Sequence, residues 1–309
     1  MIQVLRRIRQ NIATDFLYCR KHRFSYGKSW FVNYSKYNNR MTSELPKDVQ
    51  SGKIEINGVE LYYSKRGQGQ PVVLCMPGSF GTGLSDFKHN FYALSESMTV
   101  VTFDPRGYGN SRPPDRQFPV DFYRIDADDT IQLMNKLGFD KYCLLGWSDG
   151  GITAIIHAAT NSKSVSKLIL LNACAYFTKA DCDLMEPLMD ISKWNPKTLD
   201  VLSGIYGRET LAQMNKDYYQ TFFQIYKNGG DVCKADADKI ACPTLIVHGE
   251  KDPMIPSLHA HYLHEHIKHS HLCIVPDGKH AIHKRQPDKI NKLVERFFLE
   301  DVALQWDQL

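Results

Sequence analysis

The stretch Leu144-Leu145-Gly146-Trp147-Ser148-Asp149-Gly150-Gly151 constrains the fold more than any other part of the chain. The apolar run Tyr142-Cys143-Leu144-Leu145 before it suits a buried parallel strand, and Ile152 to Ala159 after it suits a buried helix. Strand, sharp turn and helix form the setting of a G-x-S-x-G nucleophile elbow, whose strained turn lifts the serine Oγ above the sheet edge. Glycines fit at 146 and 150 because neighbouring backbone comes close there and a Cβ would collide. The helix that follows points its first N–H groups at the reacting centre, where an oxyanion can be stabilised. By itself the pattern also arises by chance in Gly/Ser loops, so it needs partners elsewhere in the chain.

Around the elbow, strands and helices alternate. Lys53 to Tyr63 alternates about Asn57-Gly58 and predicts a β-hairpin. Pro71 to Cys75, Met98 to Phe103, Lys167 to Leu171, Thr244 to His248 and His271 to Val275 predict further strands, with helices over 121–138 and from Gln286 to Leu299. This rhythm predicts an α/β fold with a mostly parallel sheet wound on both faces. From Tyr176 to Asp238 the rhythm breaks, with aromatic and long side chains at helical spacing and no strand-like run. The expected organisation is therefore a core over 52–175 and 239–300, interrupted by a helical insertion over 176–238. That insertion either covers the strand ends as a lid, where ligands bind in open α/β sheets, or packs without touching substrate.

A serine hydroxyl is a poor nucleophile at neutral pH and needs an adjacent base, which in turn needs an orienting acid. Asp252, in Gly249-Glu250-Lys251-Asp252-Pro253, and His280, in Gly278-Lys279-His280, each follow a predicted strand. The order Ser148, Asp252, His280 is the one expected of an α/β-hydrolase fold. The Gly-rich turn Met76-Pro77-Gly78-Ser79-Phe80-Gly81 also follows a strand and would supply a second oxyanion donor, the N–H of Ser79, beside that of Asp149.

Asp149 bears most on specificity. A fixed carboxylate near a reaction that develops negative charge is costly: two unit charges about 4 Å apart interact by roughly 4 kcal/mol at an effective dielectric of about 20. Either the substrate brings a cation, such as a free α-ammonium, or Asp149 turns aside to cap the helix.

Composition closes off other classes. Residues 1–43 carry nine Lys/Arg against the single acid Asp15, which leaves 29 basic and 33 acidic side chains in the remainder. A mildly acidic body gives no support to nucleic-acid binding. The Arg-rich leader over 1–45, with Ile2, Val4, Leu5, Ile8 and Ile12 along one helical face, has the composition of a mitochondrial transit peptide or of a basic membrane-surface tail. No run of 18 apolar residues is present to span a bilayer. Eight cysteines without a C-x-x-C are expected to be reduced core residues of an intracellular protein. Among His259, His261, His264, His266, His269 and His271 no two stand four apart, so a solvated helix face is expected rather than a metal site.

The segments 104–116, Gly146 to Ala154, Ile246 to Pro253 and Gly278-Lys279-His280, together with Ser192-Lys193-Trp194, closely resemble the biphenyl hydrolase-like (valacyclovir hydrolase) family of the α/β-hydrolase superfamily over about residues 52–300. The resemblance implies an α-amino-acid ester hydrolase with Ser148, Asp252 and His280 as triad, Asp149 as the ammonium-binding residue and a mitochondrial location. It implies no metal or organic cofactor. The expected partner is a small ester with a free amino group, and a monomer is expected. Ser79, Phe80 and the segment after Lys197 depart from the family pattern. A general carboxylesterase, a carbon–carbon bond hydrolase and a non-catalytic interaction protein are the rival readings.

Overall fold

The computed structural model describes residues 45–309; the first 44 residues of the expected leader lie outside them. Eight strands form one sheet: β1 (Gln50–Ile56), β2 (Val59–Arg66), β3 (Val72–Met76), β4 (Thr99–Phe103), β5 (Tyr142–Trp147), β6 (Val165–Leu171), β7 (Thr244–Gly249) and β8 (Ser270–Val275). Their order is β1-β2-β4-β3-β5-β6-β7-β8. The β1–β2 and β2–β4 pairs are antiparallel and every other pair is parallel. The hairpin turns at Asn57-Gly58, both with positive φ, as its sequence predicts, and its strands extend to Gln50 and Arg66.

β3 and β5 lie in the middle and are buried throughout, which is why they read as unbroken apolar runs. Alternate residues feed two cores. Val73, Cys75, Cys143 and Leu145 face one side; Leu74, Met76 and Leu144 face the other. The first core is covered by helix α1 (Gly83–Leu94) through Phe87, Phe91 and Leu94. The second is covered by α2 (Phe122–Lys136) and α3 (Asp149–Thr160), whose Leu133, Ile152 and Ile155 pack on it. α1 was not expected from sequence; its signal is the Thr82/Ser85 capping box ahead of the Phe87/Phe91/Leu94 spacing.

Between β6 and β7 the chain forms α4 (Lys179–Met185), two 3-10 turns over Glu186–Met189 and Ile191–Lys193, α5 (Pro196–Tyr206), α6 (Arg208–Lys227) and the short α7 (Lys234–Ala237). An isolated bridge, Tyr176 to Asp231, ties the two ends of this segment together. α8 (Leu258–His266), α9 (Ile282–Arg285) and α10 (Pro287–Glu300) complete the chain, α10 lying one residue later than its apolar spacing suggests. The seven described cysteines are free, and all but the half-buried Cys242 are buried.

His261, His264, His269 and His271 are exposed and His266 is half-buried, in line with the solvated face expected of this run, and only His259 departs from it. His259 is only 1% exposed, packs on Tyr176 and sits 3.0 Å from the Asp181 carboxylate of α4. α8 buries His259, Ala260 and Leu263 together, and a helix that turns a histidine inward must give it a polar partner. Among the described residues no three metal-binding side chains converge, and no helix is long and apolar enough to cross a membrane.

Candidate active site

The parallel register brings the C-terminal ends of the central strands to one edge: Met76 lies beside Gly146, Trp147 beside Leu171, and Leu171 beside Val247. Each residue singled out from the sequence sits just past one of these ends. Ser148 joins β5 to α3 with φ 55° and ψ −123°, a strained conformation for a side chain larger than glycine. The turn is possible because its neighbours are glycines. A Cβ on Gly150 would come within 2.1 Å of the Met76 carbonyl oxygen, and one on Gly146 within 2.5 Å of the Gly150 carbonyl oxygen.

His280 Nε2 is 2.9 Å from Ser148 Oγ, and His280 Nδ1 is 2.8 Å from Asp252 Oδ2. A carboxylate only accepts, so Nδ1 carries the proton and Nε2 is left to accept from the serine. Asp252 is held at both oxygens: Oδ1 accepts from the N–H groups of Met254 and Ile255, and Oδ2 also accepts from Asn172 Nδ2 at 2.6 Å. Burial pushes this carboxyl up, yet the His280 imidazole and these hydrogen bonds outweigh it and hold Asp252 below the ordinary carboxylate value. His280 is fixed in turn by its carbonyl, which accepts from Trp147 Nε1 at 2.8 Å.

Ser79 lies past β3 and Asp149 opens α3. Neither N–H has a hydrogen-bond partner among the described residues, so both are available to a ligand oxygen. Phe80 next to Ser79 has φ 60°, and its carbonyl accepts from Tyr206 Oη of α5 at 2.9 Å. Its ring is surrounded by Tyr108, Phe118, Trp194 and Tyr218 at centroid distances of 5.3–6.5 Å. Aromatic side chains from α5, α6 and the 104–118 loop therefore pack around the turn that carries Ser79 and Phe80.

The Asp149 side chain does not cap α3. Its Oδ1 accepts from Tyr123 Oη at 3.1 Å and Tyr218 Oη at 3.0 Å, while Oδ2 has no partner among the described residues and the carboxylate makes no ion pair there. Burial raises this carboxyl to about 6, against the lowering pull of the two tyrosines and of the Arg116 guanidinium. Arg116 and Asp149 line one cavity beside the Ser79 turn, and Arg116 is itself paired through both terminal nitrogens with Asp126. Sequence reasoning missed Tyr123, Tyr218 and Asn172. Only Asn172 leaves a readable sign, as a polar residue that ends an apolar strand.

Residues 71–203 match the α/β hydrolase fold family and residues 227–302 the TAP-like protein family. The chain is 44% identical to serine hydrolase BPHL of Homo sapiens and 43% identical to that of Mus musculus, in each case over 81% of this chain and 86% of the relative. A 2-hydroxy-6-oxo-6-phenylhexa-2,4-dienoate hydrolase from Rhodococcus superposes with a TM-score of 0.67 at 17% identity, covering 81% of this chain and 98% of that one, a likeness of fold alone. With Ser148, His280 and Asp252 linked by hydrogen bonds at one sheet edge and this degree of identity to the human and mouse proteins, the chain belongs to the biphenyl hydrolase-like family of serine hydrolases, built on the α/β-hydrolase fold.

Proposed function

We propose that the protein hydrolyses esters of α-amino acids by a two-step acyl transfer. His280 Nε2 takes the proton of Ser148 as Oγ attacks the ester carbonyl, and Asp252 holds the imidazole in the useful tautomer and steadies the imidazolium that forms. The Ser79 and Asp149 N–H groups receive the developing oxyanion. His280 then returns the proton to the leaving alcohol, and water, activated by the same imidazole, releases the amino acid. Amino thiolactones fit the same chemistry.

The observation that carries the substrate class is the state of Asp149. One carboxylate oxygen is fixed by two tyrosine hydroxyls and the other is unpartnered among the described residues, one residue from the nucleophile. Such a group suits a substrate ammonium, whose charge offsets the repulsion Asp149 would otherwise exert on the oxyanion. The helical segment 176–238, which brings Tyr206 and Tyr218 to the site, serves as a lid over it. The basic leader supports a mitochondrial location, which import into isolated mitochondria with loss of the leader would test.

The deciding test compares kcat/KM for a valine ester and its des-amino isostere. A preference of about 100-fold or more, near 2.7 kcal/mol, is expected, and Asp149→Ala should abolish the preference while Ser148→Ala abolishes turnover of both. Equal rates on the two esters would leave a general carboxylesterase in its place.

A further inference from the structure

Outside the triad, one buried ion pair touches both halves of the catalytic apparatus. Asp86, in the first turn of α1, accepts the Gly78 N–H on Oδ2 at 3.0 Å and the Lys284 ammonium on Oδ1 at 2.6 Å. Both side chains are nearly inaccessible, at 5% and 10% exposure. The turn that carries Ser79 is wrapped around this carboxylate: Gly81 N–H closes on the Gly78 carbonyl at 3.2 Å, and a Cβ on Gly81 would stand 1.9 Å from Asp86 Oδ2. The Ser79 N–H of the same turn has no hydrogen-bond partner among the described residues. Lys284 belongs to α9, just after His280. Its ammonium lies 4.5 Å from the ring centroid of Trp147, whose Nε1–H is the donor to the His280 carbonyl. His283 of the same helix contacts the Trp147 ring and places Nε2 3.1 Å from the Asp86 carbonyl oxygen.

We propose that the Asp86–Lys284 pair is a positioning device for catalysis, which sets the turn presenting the Ser79 N–H and ties it to the loop carrying His280. This rests on the roles given to Ser79 and His280 above. The physical reason for a charged pair is that a carboxylate accepts an N–H more strongly than a neutral oxygen does, and a buried carboxylate has to be matched by a cation. A shift of about 1 Å in an oxyanion donor weakens stabilisation of the transition state while leaving the bound ester nearly untouched.

The test is made on the full chain with Asp86→Asn, Lys284→Met and the double variant, using an uncharged p-nitrophenyl ester so that the Asp149 carboxylate has no ammonium to bind. Active sites are counted by exhaustive fluorophosphonate labelling, and a trifluoromethyl ketone serves as a probe of the oxyanion site. The expected result for Asp86→Asn is a kcat per titrated site lower by about tenfold or more, KM within about threefold, and ketone affinity reduced by the same factor as kcat. If the single variant fails to fold, the double variant, which removes both charges of the pair, must show the same pattern. A purely structural role would lower the melting temperature and the number of titrated sites but leave kcat per site and ketone affinity within about twofold of the parent, and that outcome would overturn the proposal. Retained turnover in Ser148→Ala would instead overturn the nucleophile assignment, and the two failures are distinguishable.

Discussion

Tyr218→Phe tests how the Asp149 carboxylate beside Ser148 is kept charged. The hydroxyl it removes donates to Asp149 Oδ1 at 3.0 Å from α6, and the only other donor to that oxygen among the described residues is Tyr123. A hydrogen bond to a charged acceptor contributes about 1.5–3 kcal/mol, so its loss should raise the carboxyl by about 1–2 units. Starting from about 6, a rise of about 1.5 units would cut the ionised fraction at pH 6.5 from about three quarters to about one tenth, roughly an eightfold loss of the form that can hold an ammonium. The sign follows from the charge: a carboxyl is anionic above its pKa, so selectivity for the amino ester over its des-amino isostere should fall with falling pH, and fall earlier in the variant. The assay is the ratio of kcat/KM for the two esters between pH 5 and 6.5, below the range where the substrate amine deprotonates. Titrations shared by both substrates, that of the general base included, cancel in this ratio. A selectivity profile that is identical in the variant and the parent would refute the reasoning, because it would mean that the Asp149 charge does not depend on its tyrosine donors.

Two further outcomes are expected. Asp149→Asn should be more stable than the parent at pH 8, by about 1–2 kcal/mol after allowance for its partial exposure, because folding raises this carboxyl and so disfavours its anion; the advantage should shrink between about pH 6 and pH 4, where the folded parent takes up a proton, as followed by melting temperature against pH. Gly150→Ala should disrupt the elbow, since its Cβ would stand 2.1 Å from the Met76 carbonyl oxygen. The expected loss is about 3 kcal/mol or more in chemical unfolding, together with loss of fluorophosphonate labelling.

The grouping of Ser148, Asp252 and His280 was legible in the sequence because each follows a strand, and apolar runs reveal strands. Ser148, Asp252 and His280 needed only the parallel order of β5, β7 and β8 to meet. The environment of Asp149 was not legible, and both fates open to it, binding a cation or capping α3, remained consistent with the residues. Tyr218 stands 69 residues away on a helix with several aromatic positions, and nothing in the spacing says which of them turns toward the sheet edge. His259 misled for a related reason: polar spacing along α8 reads as solvated, and only the distant Asp181 makes an inward histidine tolerable. The Asp86 contact was hidden because helix α1 itself was not anticipated.

The Tyr176–Asp231 bridge has a consequence for how the family can diversify. The segment it closes leaves and rejoins the sheet at one place, pinned by the Phe177 N–H on the Gly230 carbonyl at 2.8 Å and by the Val232 and Cys233 N–H groups on the Ala175 carbonyl. Once the ends are clamped, doubling the length between them costs only about 0.6 kcal/mol of closure entropy. Evolution can therefore exchange the whole excursion, and with it the range of esters admitted, without disturbing the strands beneath. Two hydroxyls limit that freedom: Tyr206 on the Phe80 carbonyl and Tyr218 on Asp149. A transplanted excursion would keep the proposed preference for amino esters only if it delivered a donor to each of those two places.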